Sequence, residues 1–273
     1  MWYNMRNCVS ERIFGKGEAA LKKLALVLLA AVLLLLFAAC EGEKTPAETA
    51  IPIPADTADH DAFVLDDGVI TYPGALQGID VSEHQGEIDW QKVAADGIDF
   101  AILRVGYRGT GREGKLMPDP RFEENYAGAT EAGLSVGVYF YSQAISVSEA
   151  EEEAAFVLGL LRGRSLQLPV FFDWEESSGR TSGSSKSAVS GYALAFSDLV
   201  KEEGYETGTY FYASLGFRLD LGRLLEGSFW LSQPDELAFP YAVQFWQYSF
   251  EGRVDGIDTV VDRDLMYQKG DRP

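Results

Sequence analysis

The chain has 273 residues and carries 23 Lys and Arg against 42 Asp and Glu, a formal net charge of −19, with only 2 His and 2 Cys. Such an acidic chain lacks the basic footprint that binding to a nucleic acid backbone requires. The scarcity of His and Cys argues against a histidine-based triad, a multi-histidine metal centre and an internal disulfide, so hydrolytic chemistry would need carboxylates, hydroxyls or tyrosines.

The N-terminus contains an uncharged apolar run of 16 residues, 24–39, which follows the basic residues Arg12, Lys16, Lys22 and Lys23. A basic region, an apolar core and small residues before a cleavage point are typical of a secretory signal. Cys40 directly follows, as in a bacterial lipobox, which predicts that residues 1–39 are removed and Cys40 is lipidated. The alternative is an uncleaved membrane span, although the run is shorter than the usual ~20 residues. Either way, we expect an extracytoplasmic protein, anchored to the bacterial cell membrane and facing the cell wall.

Residues 40–76 are rich in Pro, Ala, Thr and acidic side chains and show no sustained helix or strand period. This composition predicts a flexible linker between the membrane and a folded domain. Fully stretched, such a linker would reach on the order of 100 Å. The alternating stretch at 63–74 is an exception, and it favours a short β-hairpin.

The remaining residues, 77–273, alternate between apolar strand-like segments and helix-like segments. Such alternation predicts parallel β/α units, and near-continuous apolar strands indicate a sheet that is covered on both faces. Helix-like segments become rare in the last third of the chain. The sequence therefore predicts a single α/β domain, a modified, TIM-like β/α barrel with about eight strands and fewer helices in its C-terminal third.

The stretch LPVFFDWEES, residues 168–177, runs from an apolar strand into a cluster of acids. Residues i and i+2 of a strand share a face, so Asp173 and Glu175 project together while Trp174 turns away. Two carboxylates on one face repel each other, and this repulsion separates their proton affinities. Such a pair suits acid/base chemistry at a glycosidic bond.

In β/α barrels the chemistry lies at the carboxyl ends of the strands. In this chain those ends combine acids with aromatic and amide side chains, the composition of a cleft that binds sugars. The predicted rim consists of Asp80, Arg104 with Tyr107, Tyr139 with Tyr141, Asp173 with Glu175, Tyr210 with Tyr212, Trp230 with Gln233, Trp246 with Gln247 and Tyr248, and Asp262.

Seven segments occur in an order that closely resembles glycoside hydrolase family 25: GIDVSEHQGEIDW, FAILRVGY, GVYFY, PVFFDWEE, FWLSQP, WQYS and VVDRD. The resemblance covers residues 77–268. It implies a lysozyme (N-acetylmuramidase) that hydrolyses the β-1,4 bond between N-acetylmuramic acid and N-acetylglucosamine. The expected partners are peptidoglycan glycan strands and the membrane, with no nucleic acid, metal or cofactor, and we expect a monomer.

The resemblance also implies roles for four acids. Glu175 would be the general acid/base that protonates the leaving oxygen. Asp173 would steady either the substrate's N-acetyl group, acting as internal nucleophile, or the positively charged transition state. Asp80 and Asp262 would set the local field and orient Glu175. The family often has Asn two places after the closing Asp, where this chain has Asp264.

Substrate contacts are expected from nine side chains on or near the rim: Tyr107, Tyr139, Tyr141, Tyr212, Trp230, Gln233, Gln247, Tyr248 and His84. One Tyr of each strand pair has an alternative role in filling the barrel, and His84 has one in stabilising its loop. Trp246 is expected in the core. The Ser- and Gly-rich residues 177–187 are interpreted as either a lid over the substrate or a loose connection.

Two other functions stay open at this point. One is a catalytically silent wall-binding module, which the presence of both Asp173 and Glu175 disfavours. The other is a glycosidase of the same fold that acts on a chitin-like glycan. The stereochemical outcome is also open, because it depends on the distance between the two carboxyl groups.

Overall fold

The computed structural model describes residues 52–267. The predicted signal segment, Cys40 and the start of the linker lie outside the described residues. Within 52–267, no helix combines the length and the apolar character needed to cross a membrane. In chain order the helices and strands are β1 (Val64–Asp66), β2 (Val69–Thr71), β3 (Leu76–Val81), α1 (Trp90–Ala95), β4 (Phe100–Arg108), β5 (Leu116–Pro118), α2 (Phe122–Glu131), β6 (Ser135–Ser142), α3 (Val147–Leu161), β7 (Val170–Trp174), α4 (Lys186–Glu202), β8 (Thr207–Tyr212), α5 (Ala213–Gly216), β9 (Ser228–Ser232), β10 (Phe245–Gly252) and β11 (Val261–Met266).

Eight of these strands close into a barrel in the order β3, β4, β6, β7, β8, β9, β10 and β11, with β11 paired back to β3. Neighbours from β3 to β10 are parallel, whereas β11 runs antiparallel to both β10 and β3. After α4 the only α-helix among the described residues is the single turn α5. The predicted modified β/α barrel, with about eight strands and few helices in its last third, is confirmed.

Polar caps fix where the longer helices begin. Ser146 and Ser185 accept hydrogen bonds from the backbone N–H groups of Glu149 and Ala188, which starts α3 and α4, respectively. Each cap satisfies a backbone donor that has no partner inside its helix. The cap of α3 lies four residues after the end of β6, whereas that of α4 follows β7 after a longer connection.

An apolar floor fills the inside of the barrel below the rim. It is built from inward-facing side chains of several strands, among them Phe100, Ile102, Phe171, Tyr210, Trp230 and Phe245. Gly78 and Gly208 lie against this floor, where a Cβ would come within 2.1 Å of the Phe100 ring and 2.4 Å of the Phe171 ring. Because Phe171 and Phe245 lie two residues before Asp173 and Gln247 on their strands, the polar side chains form the next layer up.

Residues that precede the barrel cover its outer face where helices are missing. Ala55 forms a β-bridge with Tyr241. Phe63 packs edge-on against Trp246, with ring centroids 5.4 Å apart. Trp246, expected in the core, is buried. This contact gives the outer face of β10 an apolar cover in a part of the chain that has no helix.

Residues 52–76 differ from the predicted flexible linker but contain the predicted hairpin. The flexible linker predicted for residues 40–76 is wrong for 52–76, because a few anchoring side chains such as Phe63 and Ile70 hold an otherwise polar segment against the barrel. The hairpin favoured at 63–74 is present as β1 and β2. Its two turn residues, Asp67 and Gly68, have φ of 46° and 79°, as a tight two-residue hairpin turn requires.

Candidate active site

A cavity of about 130 Å³ opens at the rim where the parallel strands end. It is lined by Asp80, Arg104, Tyr139, Tyr141, Asp173, Glu175, Tyr210, Trp230, Gln247 and Asp262. Larger clefts of about 560 and 670 Å³ lie elsewhere, but their acids are exposed to solvent. The rim cavity is therefore the place where partly dehydrated acids meet, and partial dehydration is what acid/base chemistry requires.

The direction of β11 explains how the last acid reaches this rim. Asp262 was expected at the carboxyl end of a strand, and that expectation is wrong, because Asp262 is the second residue of β11. Since β11 is antiparallel, its beginning lies at the rim, and Asp262 pairs directly with Asp80 on β3. The first and last barrel strands thus bring two carboxyl groups side by side.

Gln247 connects these two acids. Its Nε2 donates to Asp80 Oδ2 at 2.7 Å and to Asp262 Oδ2 at 3.2 Å. Its Oε1 accepts a hydrogen bond from the Tyr210 hydroxyl at 2.9 Å. Burial raises the pKa of Asp262 to about 6. The amide stabilises the ionised forms of both acids and fixes their orientation.

A further acid, Asp264, lies one layer deeper. It is fully buried, and its Oδ1 accepts a hydrogen bond from Trp230 Nε1 at 2.8 Å. Burial raises the pKa of Asp264 to about 8 and, together with the charges of Asp264 and Asp262, holds the pKa of Asp80 well above its usual range. Near neutral pH the Asp80–Asp264 pair therefore retains a proton.

Asp173 and Glu175 form the opposite wall of the cavity. Burial raises the pKa of both carboxyl groups, and the charge of Glu175 raises that of Asp173 further. The positive charge of Arg104 acts in the other direction on Asp173, but burial has the larger effect, so the pKa of Asp173 stays well above its usual range. The two carboxyl groups titrate as a pair that holds a proton more strongly than free acids do. Asp173 Oδ1 is buried and has no hydrogen-bond donor among the described residues.

Arg104 is held in place by two acids and an aromatic ring. Its Nε donates to Asp119 Oδ2 at 2.7 Å, and its Nη2 donates to Glu83 Oε1 at 2.9 Å. The guanidinium also lies over the ring of Tyr107, 5.1 Å from its centroid. Tyr107, expected to contact substrate, therefore packs under Arg104 and does not line the cavity.

The backbone at Glu175 is anchored by side chains that the sequence did not single out. Gln143 Nε2 and Thr181 Oγ1 donate to the Glu175 carbonyl at 3.0 and 3.2 Å. Ser177 Oγ donates to Gln143 Oε1 at 3.0 Å. Gln143 follows Tyr139 and Tyr141 at intervals of two, and this spacing would have placed it on the same inward face. The first part of the 177–187 segment is thus fixed by hydrogen bonds beside Glu175.

Four of the nine expected substrate contacts line the cavity: Tyr139, Tyr141, Trp230 and Gln247. Burial and the nearby charges of Glu175 and Asp173 raise the pKa of Tyr141 to about 12, so its hydroxyl is a neutral hydrogen-bond donor. Within residues 52–267, no group of three or more His, Cys, Asp and Glu could hold a metal ion.

The other expected contacts lie outside the cavity. Tyr248 points to the outer side of β10 and donates to Gln77 Oε1 at 3.2 Å. Gln233 accepts from the backbone of Ala238 at 3.1 Å. His84 is exposed in a short turn after β3, and Tyr212 is half-buried near Glu176. Because strand faces alternate, an inward Gln247 requires Tyr248 to face outward.

Comparison with known proteins gives a consistent match. The profile of the glycosyl hydrolases family 25 matches residues 79–257. Lysozyme M1 of Streptomyces globisporus is 29% identical over 205 residues, which cover 69% of this chain and 66% of that protein. The autolytic lysozyme of Clostridium acetobutylicum is 26% identical over 195 residues, 69% of this chain and 55% of that protein, so the match spans little more than half of the Clostridium protein.

A solved structure has the same fold. The bacterial lysozyme from Streptomyces coelicolor is 28% identical and superposes with a TM-score of 0.61. The superposition covers 72% of this chain and 94% of the other. The barrel and the ends of its strands therefore correspond over nearly the whole of that enzyme.

Proposed function

Because the chain belongs to glycosyl hydrolase family 25, we propose that it is a muramidase that hydrolyses the β-1,4 bond between N-acetylmuramic acid and N-acetylglucosamine in peptidoglycan. Two relatives named as lysozymes support this activity. The observation that carries the proposal is the meeting of Asp80, Asp173, Glu175 and Asp262 in one cavity. The proposed active form is a monomer.

In this proposal Glu175 is the general acid and base. Partial burial raises its pKa, so it keeps a proton to a higher pH than a free glutamate does. It gives that proton to the glycosidic oxygen as the bond to the anomeric carbon breaks. The resulting carboxylate then takes a proton from the water that completes hydrolysis.

In this proposal Asp173 acts as a carboxylate, and Arg104 is the charge that favours its ionised form. The uncompensated, buried Oδ1 faces a site where a substrate N–H can become its donor. The acetamido group adjacent to the anomeric carbon carries such an N–H. A hydrogen bond from it to Asp173 would direct the acetamido oxygen toward the anomeric carbon, where it acts as internal nucleophile. The alternative is direct electrostatic stabilisation of the positively charged transition state by the same carboxylate.

Asp80 and Asp262 complete the site from the other side. Gln247 holds both of them, and their negative charge favours a cationic transition state in a cavity with little water. Tyr139 packs edge-on against Trp230 with ring centroids 5.9 Å apart. Trp230 is buried, so the partly exposed rings of Tyr139 and Tyr141 are the surfaces on which a sugar face can stack.

Release of reducing ends from purified peptidoglycan and from chitin tests the proposal. We expect release from peptidoglycan, with new reducing ends at N-acetylmuramic acid. Preferential cleavage of chitin would establish the same chemistry on another glycan. Binding to peptidoglycan without release from either polymer would identify a silent wall-binding module and refute the enzymatic proposal.

We further propose that the enzyme is a lipoprotein anchored through Cys40. The basic and apolar residues before Cys40 support an exported, tethered chain, with an uncleaved span as the alternative. Residues from 54 onward already bond to the barrel domain. The part of the chain between Cys40 and residue 52 can therefore span at most on the order of 40 Å. The proposed enzyme would therefore act on peptidoglycan close to the membrane.

Metabolic labelling with a fatty acid tests the anchor. Cys40→Ser should abolish label incorporation and either release the protein or leave an unprocessed precursor. Cys8→Ser is the matched control and should remain labelled. Unchanged labelling of the Cys40→Ser variant would show that the anchor lies elsewhere.

A further inference from the structure

The contact between Asp80 and Asp264 requires a hydrogen that neither neighbour supplies. Asp80 Oδ2 accepts from Gln247, and Asp264 Oδ1 accepts from Trp230. Asp264 Oδ2 is buried and has no donor among the described residues, while the two carboxyl groups lie within hydrogen-bonding reach of each other. Two carboxylate oxygens are both acceptors, so this contact is favourable only with a proton between them.

The pairing of β3 and β11 brings the Asp80 and Asp264 side chains close together. Asp262 and Asp264 lie on the same face of β11, one at the rim and one a layer below. β11 pairs with β3 so that Asp264 lies opposite Gly78 and Asp262 opposite Asp80. This register places the Asp264 side chain on the inner face of the barrel, one layer below the Asp80–Asp262 pair.

We propose that Asp264 is a positioning residue of the muramidase site and acts by sharing a single proton with Asp80. The shared proton joins the two carboxyl groups, so that the remaining oxygen of Asp80 stays directed at Gln247. Loss of the proton leaves two buried negative charges in contact, which drives Asp80 from its position. The inference rests on the proposed function only in assigning Asp80 to that site.

The surrounding groups favour retention of this proton. Arg104, the cation that lines the same cavity, is already bonded to Asp119 and Glu83. The other ionisable groups that act on the pair are acids or phenols: Asp262 on β11, Tyr139 on β6, Tyr210 on β8 and Tyr248 on the outer side of β10. Asp173 on β7 adds a further negative charge across the cavity. A second negative charge on the Asp80–Asp264 pair would therefore lie next to other acidic groups, which disfavours loss of the proton.

A shared proton has a defined effect on stability. The pKa of the Asp264 carboxyl is raised to about 8 in the folded protein, whereas an unfolded aspartate titrates near ~3.9. The folded state then holds one more proton than the unfolded state between these values. The stability contributed by the proton is complete below the unfolded pKa and is lost as the pH rises through the folded one.

Three measurements on the purified protein test the proposal. In the wild type, the Trp230 indole N–H resonance and an Asp carboxyl carbon should shift together in one titration step above neutral pH. Asp264→Asn should lack that step, because an amide donates to Asp80 without a titratable proton. Between pH 5 and 7, the unfolding constant of the wild type should rise with pH more steeply than that of Asp264→Asn, by up to about tenfold per pH unit.

Measurements of kcat/KM distinguish a positioning role of Asp264 from a role in packing alone. Asp264→Asn should keep kcat/KM within about threefold of the wild type, whereas Asp264→Leu, which cannot donate to Asp80, should lose on the order of tenfold or more. Absence of the common titration step in the wild type would overturn the proposal, as would equal activities of the Asn and Leu variants. A titration step in a protein that never cleaves peptidoglycan would instead refute the muramidase assignment and leave the shared proton established.

Discussion

Asp80 and Asp262 lie directly opposite each other on antiparallel strands, and the same amide nitrogen of Gln247 donates to both. The two residues are separated by almost the whole length of the domain in sequence. Reversal of β11 is what brings them together, because a parallel last strand would carry Asp262 to the opposite end of the barrel. The pair and its amide therefore depend on how the barrel closes.

Replacement of Gln247 tests the importance of this bridge. Gln247→Leu removes the amide donor that Asp80 and Asp262 share, and hydrogen bonds to charged groups contribute about 1.5–3 kcal/mol each. We expect kcat/KM on soluble peptidoglycan fragments to fall by about 10- to 100-fold. Gln91→Leu, on the exposed face of α1, should be unaffected. A Gln247→Leu enzyme with wild-type kcat/KM would show that the bridge is dispensable.

Glu175 and its neighbour Glu176 provide a matched pair of variants. Glu175→Gln keeps the shape of the side chain and removes the proton, so kcat should fall by about 10²- to 10⁴-fold with an unchanged melting temperature. Glu176 is exposed and pairs with Arg218, and Glu176→Gln should retain activity. Equal losses in the two variants, measured as release of reducing ends, would contradict the assignment of Glu175 as the acid.

The pH profile of the wild-type enzyme follows from the protonation of Glu175. The protonated form is the active one, and burial raises its pKa. Therefore kcat/KM should hold across mildly acidic pH and fall as the pH rises through this raised value. Asp173→Asn removes the carboxyl group with which Glu175 titrates as a coupled pair, so Glu175 no longer ionises against a second acid. The falling limb of its residual activity should move to lower pH, and a limb that stays in place or moves upward would contradict the coupling.

Part of this site follows from sequence periodicity alone. Alternating strand and helix segments predict the barrel, and the i, i+2 rule correctly pairs Asp173 with Glu175. The same rule, applied to β10, excludes Tyr248 once Gln247 faces inward. The pattern of apolar residues does not indicate strand direction, because it is the same for a parallel and an antiparallel strand. The placement of Asp262 at the start of β11 could therefore come only from the three-dimensional pairing.

Contacts between residues far apart in the chain also could not be predicted from the sequence. Gln143 contacts Glu175 across 32 positions, and nothing local to either residue predicts that bond. Phe63 lies among Asp, Pro and Ala residues that lower the average hydropathy of its segment. Its contact with Trp246 depends on the missing helices of the C-terminal third. Average composition therefore indicated a linker where a few apolar side chains are sufficient to dock the segment.

Phe63 offers a direct test of this cover. Phe63→Ala removes a half-buried ring from contact with Trp246 and Tyr72, whose centroids lie 5.4 and 4.7 Å away. Loss of such a side chain should lower the free energy of unfolding by about 1–3 kcal/mol, measured by urea denaturation. Leu65→Ala, at a side chain that is 69% exposed in the same hairpin, is the matched control and should change stability little.

Truncation extends the same argument to the whole segment. A chain that begins at residue 77 keeps every barrel strand except the first residue of β3, yet it exposes the outer faces of Trp246 and Tyr248. We expect it to be less stable than a chain that begins at residue 52, with a larger slope of unfolding free energy against urea in the longer chain, because more surface is buried there. Identical midpoints and slopes would mean that residues 52–76 rest on the barrel without stabilising it.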